Sequence, residues 1–203
     1  MKSRISSSSG PEGDIRIIGG QWRRTRLSVP VRPGLRPTPD RVRETLFNWL
    51  GQSLEGWRCV DVFAGTGALG LEAASRGATQ VVLCEQDRGL VQRLQQNLVR
   101  LQAAHVQVVS GDGLNWLRQA SQAATDPKWD LIFLDPPFDA NLFDAALQAA
   151  TAAIAAQGLI YLEAPTPWDD ARLTPLGLAV HRHLKAGAVH AHLLKRVDQT
   201  ETA

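Results

Sequence analysis

The segment Arg58-Cys59-Val60-Asp61-Val62-Phe63-Ala64-Gly65-Thr66-Gly67-Ala68-Leu69-Gly70 is the most informative part of this chain. Its apolar beginning predicts a buried strand over residues 58–63. The glycines at 65, 67 and 70 form a GxGxxG pattern, which turns a chain sharply from a strand into a helix and lets a ligand approach the backbone. A strand, a glycine turn and a helix in this order indicate the cofactor loop of a Rossmann-like sheet.

Strand and helix patterns alternate along the chain on the C-terminal side of this segment. Strands are predicted at residues 58–63, 80–85, 106–110, 129–134 and 159–163, and helices at 69–76, 88–101, 113–122 and 141–156. Apolar strands separated by helices are typical of a parallel sheet that is covered on both faces. Residues 178–184 and 188–196 predict a closing antiparallel hairpin. We therefore expect an α/β fold, with a Rossmann-like, doubly wound, mostly parallel seven-stranded sheet and an antiparallel C-terminal hairpin.

The region before the first sheet strand has a different composition. Residues 15–18 and 26–29 predict a small basic hairpin, and Thr38-Pro39 offers a helix cap followed by proline at the first helical position. The helix should run to about Gly51. We expect a serine-rich disordered tail at 1–13, a basic extension at 14–52, the sheet domain at 53–197 and a frayed tail at 198–203.

Charge is unevenly distributed, although the formal net charge is only +2. Residues 1–45 contain ten basic and four acidic residues, a net charge of +6, so the remainder carries −4. A basic head suggests a polyanionic partner at one end of the molecule, although a solvated basic tail would have the same composition.

The cysteines and the apolar segments indicate the cellular compartment of the protein and whether it binds a metal. Cys59 and Cys84 lie in strand patterns without metal-ligand spacing, so we expect buried thiols and no metal. The first 13 residues lack the apolar segment of a signal peptide, and polar residues interrupt the alanine-rich stretch at 145–156. We expect a cytoplasmic protein with no membrane partner.

Acidic residues near the strand ends indicate what kind of cofactor binds. Glu85, twenty residues after Gly65, could accept both hydrogen bonds of a ribose diol. Asp61 would repel a pyrophosphate but would suit a cationic amino acid moiety. Asp112 could accept a hydrogen bond from an adenine amino group, cap a helix, or do both. The glycine pattern is also compatible with a dinucleotide, so a nicotinamide-dependent oxidoreductase stays an alternative.

The fourth predicted strand ends in Asp135-Pro136-Pro137-Phe138, which should face the same crevice. An exocyclic base amine is a poor nucleophile because its lone pair is delocalised into the ring. The Asp135 carboxylate and the Pro136 carbonyl could accept hydrogen bonds from both N–H groups of the amine, which frees the lone pair. The two prolines fix the backbone conformation of the loop. Phe138 could stack on an extruded base. The tetrapeptide predicts methyl transfer to a base amine, although Asp-Pro-Pro alone could be only a turn.

Together these motifs resemble the bacterial 16S ribosomal RNA guanine-N2 methyltransferases, the family that acts on guanine 966. The similarity covers roughly residues 14–196 and rests on residues 15–20, 34–50, 61–70 and 135–138. Family members commonly have Arg-Gly-Arg in the hairpin, where this chain has Arg23-Arg24-Thr25-Arg26.

The resemblance implies a monomeric cytoplasmic enzyme that uses S-adenosylmethionine, releases S-adenosylhomocysteine and modifies 16S ribosomal RNA in assembling or assembled 30S subunits. The residues expected to act on the guanine are Asp135, Pro136, Pro137 and Phe138. Those expected to bind the cofactor are Asp61, Phe63, Gly65, Thr66, Gly67, Glu85 and Asp112, with Arg36 and Thr38 beside the pocket. Those expected to contact RNA phosphates are Arg16, Arg23, Arg24, Arg26, Arg41 and Arg43.

Two further functions stay open at this point. A DNA adenine-N6 methyltransferase can use the same Asp-Pro-Pro-aromatic motif, although residues outside the sheet are too few for extensive major-groove recognition. A non-catalytic RNA-binding module would keep the basic head but would not need the acid and the glycines of the cofactor loop. Trp22, among the arginines, could either stack on a nucleobase or fill a hydrophobic gap against the body.

Overall fold

The computed structural model describes residues 12–30, 38–122 and 128–197, without the side chains of residues 12, 13 and 28–30. The predicted tails lie almost entirely outside this range, as does Arg36. The exception is residues 12 and 13, which already belong to a strand, so the predicted disordered tail ends too late.

An N-terminal hairpin precedes the main sheet. Strand β1 (Glu12–Arg16) pairs antiparallel with β2 (Arg26–Pro30), which confirms the predicted basic hairpin with slightly different bounds. Helix α1 (Asp40–Trp49) follows, and it buries Val42, Leu46 and Phe47 against the body.

The main sheet contains seven strands. They are β3 (Arg58–Asp61), β4 (Gln80–Glu85), β5 (Val106–Ser110), β6 (Trp129–Leu134), β7 (Ile154–Ala164), β8 (Leu178–Ala186) and β9 (Val189–Arg196). Their spatial order is β5-β4-β3-β6-β7-β9-β8. Strands β3 to β7 are parallel, and β9 runs antiparallel to both β7 and β8. The predicted doubly wound sheet with its antiparallel closing hairpin is therefore confirmed.

Helices cover both faces of the sheet. They are α2 (Ala68–Ser75), α3 (Arg88–Leu101), α4 (Gly113–Gln122), α5 (Phe143–Ala153) and the short α6 (Asp170–Leu173), which continues into a 3-10 turn at Thr174–Leu176. Alternate strand residues enter opposite cores because side chains project with a period of two. Cys59 of β3 packs in the core beneath α2 and α3, whereas Val60 packs in the core beneath α4 and α5. No helix in the described residues is long and apolar enough to span a membrane.

Several predicted boundaries are wrong. Strand β3 ends at Asp61 instead of residue 63, and β7 begins at Ile154, within the predicted helix at 141–156. Alanine favours a helix locally, but Ile154 is extended and pairs with Trp129 of β6. Tertiary pairing at β7 therefore overrides local helix propensity.

A buried carboxylate joins the N-terminal hairpin to the sheet domain. Glu72 of α2 accepts hydrogen bonds of 2.7 Å each from the backbone amides of Ile18 and Gly19 and from Nε of Arg76. Nη1 of Arg43 lies 3.7 Å away, at ion-pair distance. Because Glu72 is fully buried, these donors compensate a charge that would otherwise be very costly to remove from water.

We predict that Glu72→Gln lowers the free energy of unfolding by about 3–5 kcal/mol, because it removes the buried negative charge that the guanidinium groups of Arg76 and Arg43 share. Urea denaturation of the wild type and the variant measures the difference. Glu44→Gln is the matched control, since it removes an equal charge from an exposed position and should change stability by less than ~0.5 kcal/mol. Equal effects of the two substitutions would contradict the assigned role of Glu72.

Candidate functional site

A cavity of about 720 Å³ opens at the carboxyl ends of the parallel strands. Each of the five parallel strands contributes a carboxylate to its wall, from its last residues or just beyond them. Following the sheet from β5 to β7, these residues are Asp112, Glu85, Asp61, Asp135 and Glu163. Ligands of open α/β sheets bind at this edge, near the point where the strand order reverses.

The glycine turn positions one wall of this cavity. Gly65 and Thr66 line it, as do Asp61 and Phe63, so the turn and the end of β3 face the cavity as predicted. Gly67 lies in the same turn, between the lining residues Thr66 and Ala68, and its contact with the cofactor stays a prediction. It has a φ of +79°, and a Cβ there would lie 2.6 Å from Cδ2 of Leu94, which means that backbone conformation and packing require the glycine.

Asp61 is held in place by the helix that follows the turn. Its Oδ2 accepts a hydrogen bond of 3.1 Å from the Gly70 amide, while Oδ1 is buried without a partner among the described residues. Burial, reinforced by the neighbouring carboxylates, raises the pKa of Asp61 to about 7 despite the opposing backbone amides. An unpaired buried carboxylate oxygen is unfavourable, and a cationic ligand group would relieve it.

Two of the other acidic side chains also organise the backbone. Glu85 accepts 2.8 Å and 2.7 Å hydrogen bonds from the amides of Gly65 and Asp87, one to each carboxylate oxygen. Each oxygen keeps acceptor capacity for a further donor such as a ribose hydroxyl. Asp112 accepts from the amides of Leu114 and Asn115 at the start of α4, which confirms the helix-cap alternative. Its contact with an adenine stays a prediction.

The Asp135–Phe138 loop follows β6, the strand next to β3, and lines the same cavity as the glycine turn. Asp135 is half-buried and Pro136 buried, whereas Pro137 is exposed and Phe138 is 41% exposed. All four residues line the cavity, and none forms an ion pair among the described residues. Burial and the carboxylates of Glu163 and Asp61 raise the pKa of Asp135 well above its usual range. The carboxylate of Asp135 thus belongs to the wall of the same cavity as Asp61.

Sequence reasoning did not identify Glu163, the carboxylate on β7. Its Oε1 accepts hydrogen bonds from the hydroxyls of Thr38 at 2.6 Å and Tyr161 at 2.9 Å. The predicted cap role of Thr38 is wrong, because Pro39 is the N-cap of α1 and the Thr38 hydroxyl is bound to Glu163 instead. Thr38 does line the cavity as expected. The recurrence of an acid at each strand end is the signal that could have identified Glu163.

Among the described residues of the basic head, the arginines are exposed with one exception. The exposed arginines are Arg16, Arg23, Arg24, Arg26 and Arg41, and Arg26 forms an ion pair with Asp14. The prediction that Arg43 contacts RNA is corrected, since its side chain is fully buried. Its Nη2 donates to the Asp40 carboxylate and to the Arg16 carbonyl, so it is a structural group.

Trp22 fills a gap against the body of the protein. It is half-buried beside the first core and stacks on His105, with ring centroids 5.8 Å apart. This favours the hydrophobic alternative over base stacking. Within the described parts of the chain, no cluster of histidine, cysteine or acidic residues has the geometry to hold a metal ion.

The arrangement divides the cavity into two chemical halves. The side at β3, β4 and β5 offers a buried unpaired carboxylate oxygen and hydroxyl-accepting carboxylates, which suit a cationic, adenosine-like ligand. The side at β6 and β7 offers two carboxylates and an exposed aromatic ring, which suit a planar group with N–H donors. A group could therefore be transferred between ligands held on the two sides.

Comparison with known proteins gives consistent matches over nearly the whole chain. Residues 15–195 match the family described as Conserved hypothetical protein 95. The chain is 42% identical to the Ribosomal RNA small subunit methyltransferase D of Escherichia coli strain K12, over all of this chain and 98% of that protein. It is 38% identical to the protein of the same name from Haemophilus influenzae, over 90% of this chain and 94% of the other.

Solved structures show the same architecture. The Escherichia coli protein yhhF is 42% identical, with a TM-score of 0.77 over 92% of this chain and all of that chain. A hypothetical protein from Thermus thermophilus is 31% identical, with a TM-score of 0.70 over 89% of this chain and 99% of the other.

Proposed function

This chain belongs to the ribosomal RNA small subunit methyltransferase D family, and we propose that it transfers a methyl group from S-adenosylmethionine to the N2 amine of a guanine in 16S ribosomal RNA. The observation that carries the proposal is one cavity that combines the unpaired Asp61 carboxylate oxygen with the Asp135–Phe138 loop. The names of the full-length relatives support the ribosomal substrate. A base amine and a sulfonium methyl donor fit the chemistry of the two halves, and the N2 amine of guanine is what the resemblance to the guanine-N2 methyltransferases implies.

The residues of the glycine-turn side fit the methyl donor. Asp61 would bind the ammonium of its amino acid moiety, Glu85 its ribose hydroxyls and Asp112 its adenine amine. Phe63, Gly65 and Thr66 would line its binding site. When bound, the cofactor supplies an electrophilic methyl group on a sulfonium sulfur.

The Asp135–Phe138 loop would prepare the base. The Asp135 carboxylate and the Pro136 carbonyl would accept hydrogen bonds from the two N–H groups of the amine, and Phe138 would stack on the ring. On receiving the methyl group, the amine nitrogen would have to lose one proton. Because the pKa of Asp135 is raised, its carboxylate is well suited to accept that proton.

The basic head would bind the ribosomal RNA around the cavity. Arg16, Arg23, Arg24, Arg26 and Arg41 are exposed and can neutralise phosphates without reading sequence. We propose a monomer that acts in the cytoplasm on assembling or assembled 30S subunits, with specificity set by RNA shape and one splayed base.

The alternatives explain less of the site. A nicotinamide-dependent oxidoreductase leaves the Asp135–Phe138 loop without a role and places Asp61 against a pyrophosphate. A DNA adenine-N6 methyltransferase would use the loop but is not favoured by the names of the relatives. Labelled methyl transfer to 30S particles and to DNA distinguishes the two methyltransferase functions.

The deciding experiment is mass spectrometry of digested 16S RNA from a strain that lacks the gene. We expect the loss of one N2-methylguanosine, which the wild-type gene restores. An unchanged set of methylated nucleosides would overturn the proposed function. The same digest identifies the position of the modified guanine.

Asp61→Asn should weaken S-adenosylmethionine binding roughly tenfold or more, because it removes the negative charge that would attract the ammonium group. It should not weaken the fold, because Oδ1 of Asp61 has no hydrogen-bond partner among the described residues. Titration calorimetry measures the Kd, and thermal unfolding of the free protein measures stability. Glu44→Gln, which removes an exposed charge, should leave both unchanged. Wild-type affinity in the Asp61 variant would remove Asp61 from the cofactor site.

Asp135→Ala should lower kcat roughly 10²-fold or more, the scale for losing one preorganised catalytic group. S-adenosylmethionine binding should stay near normal, because Asp135 lies on the base side of the cavity. Single-turnover methylation of 30S particles and cofactor titration separate the two effects. A variant with full kcat would show that the loop is only a turn.

A further inference from the structure

We propose that Glu163 selects guanine by accepting a hydrogen bond from the N1–H group of the target base, next to the amine held by Asp135. The inference rests on the proposed function and adds the residue that reads the identity of the base. It is carried by the position of Glu163 on the sheet, by its buried carboxylate and by the hydrogen-bonding pattern of guanine.

The register of the sheet places Glu163 beside Asp135. Leu134 of β6 pairs with Leu162 of β7 in parallel register, so the next residue on each strand is Asp135 and Glu163 respectively. Neighbouring strands lie about 4.8 Å apart, so the two side chains leave the sheet side by side. Because β6 separates β7 from β3, Glu163 lies on the side of Asp135 away from the glycine turn and the cofactor half.

One oxygen of Glu163 is positioned by the protein and the other is available to a ligand. The residue is only 3% exposed, and its Oε1 is held by the hydroxyls of Thr38 and Tyr161. No donor among the described residues is bonded to Oε2, and Glu163 lines the cavity. Since Tyr161 is itself fully buried, the carboxylate is fixed before any substrate binds.

The hydrogen bonds that Glu163 receives also suit its role as an acceptor. The hydroxyls of Thr38 and Tyr161 favour the ionised form and counteract the burial that raises the pKa of Glu163. Burial and the carboxylates of Glu163 and Asp61 raise the pKa of Asp135, the other acid of the pair. The two hydroxyls therefore help to keep Glu163 a hydrogen-bond acceptor.

This pair of acids complements one base. Guanine presents N1–H and the N2 amine as adjacent donors on its Watson–Crick edge, so two neighbouring carboxylates can accept from both. Adenine presents an amine beside an unprotonated N1, whose lone pair would face the Glu163 carboxylate. A site built around a donor rejects an analogue that lacks it, because a buried polar group is then left unpaired.

The test compares guanine with 2-aminopurine at the modified position of reconstituted 30S subunits. 2-Aminopurine keeps the 2-amino group but has an unprotonated N1. We expect the wild type to methylate 2-aminopurine with a kcat/KM lower by roughly 10²-fold. In Glu163→Gln the amide can donate to that nitrogen, so the penalty should fall below about tenfold. The missing O6 of 2-aminopurine affects both enzymes equally and cancels in the comparison.

Tyr161→Phe is the matched control, because it removes one hydrogen bond to Oε1 and leaves the cavity-facing carboxylate in place. It should lower kcat/KM for both bases by the same factor and retain the roughly 10²-fold penalty. An equal penalty in the wild type and Glu163→Gln overturns the inference. Equal methylation of both bases by the wild type would also overturn the inference, and that result does not depend on whether a variant folds. Failure of the wild type to methylate guanine would instead overturn the proposed function.

Discussion

The register between β3 and β6 is the constraint that places the two halves of the site. Asp61 pairs with Phe133 in parallel register, so Asp135 follows two residues later on the same face of the sheet. Side chains alternate along a strand, and a shift of one residue would turn one of these two carboxylates to the opposite face. The apolar residues of both strands fix the register, because a shift of one residue would move Phe133 into the opposite core and disturb the packing of both cores. Packing of the cores thus sets the distance between the two halves of the cavity.

Burial gives the carboxylates of the cavity their chemical character. Asp61 and Glu163 are buried and Asp135 is half-buried, and repulsion among these carboxylates adds to the burial that raises the pKa of Asp61 and Asp135. Such an arrangement stabilises a cation and N–H donors much more strongly than exposed acids would. Burial of these carboxylates also lowers the free energy of unfolding, which is the usual compromise between stability and activity at a functional site.

The N-terminal region is part of this site as well as a basic surface. Glu72 binds the hairpin backbone to α2, and α2 begins at the glycine turn. Ahead of α1, the hydroxyl of Thr38 contacts Glu163 across 125 positions of sequence. The exposed arginines are therefore attached to a segment whose position is fixed by contacts with both halves of the sheet. Contacts of the N-terminal region therefore link the proposed RNA surface to the proposed base pocket.

The sheet, the glycine turn and the Asp135–Phe138 loop could be predicted from the chain alone, because each depends on local periodicity or on residues adjacent in sequence. Strand β4, helix α3 and strand β6 have the predicted bounds for that reason. Features that depend on distant contacts emerged only from the folded structure. Arg43 has the composition of an RNA-binding residue but is buried beside Glu72, and Thr38 precedes a helix but bonds to Glu163. Local patterns cannot reveal such partners, since the free energy of a buried charge or hydroxyl depends on groups that the fold brings from elsewhere in the chain.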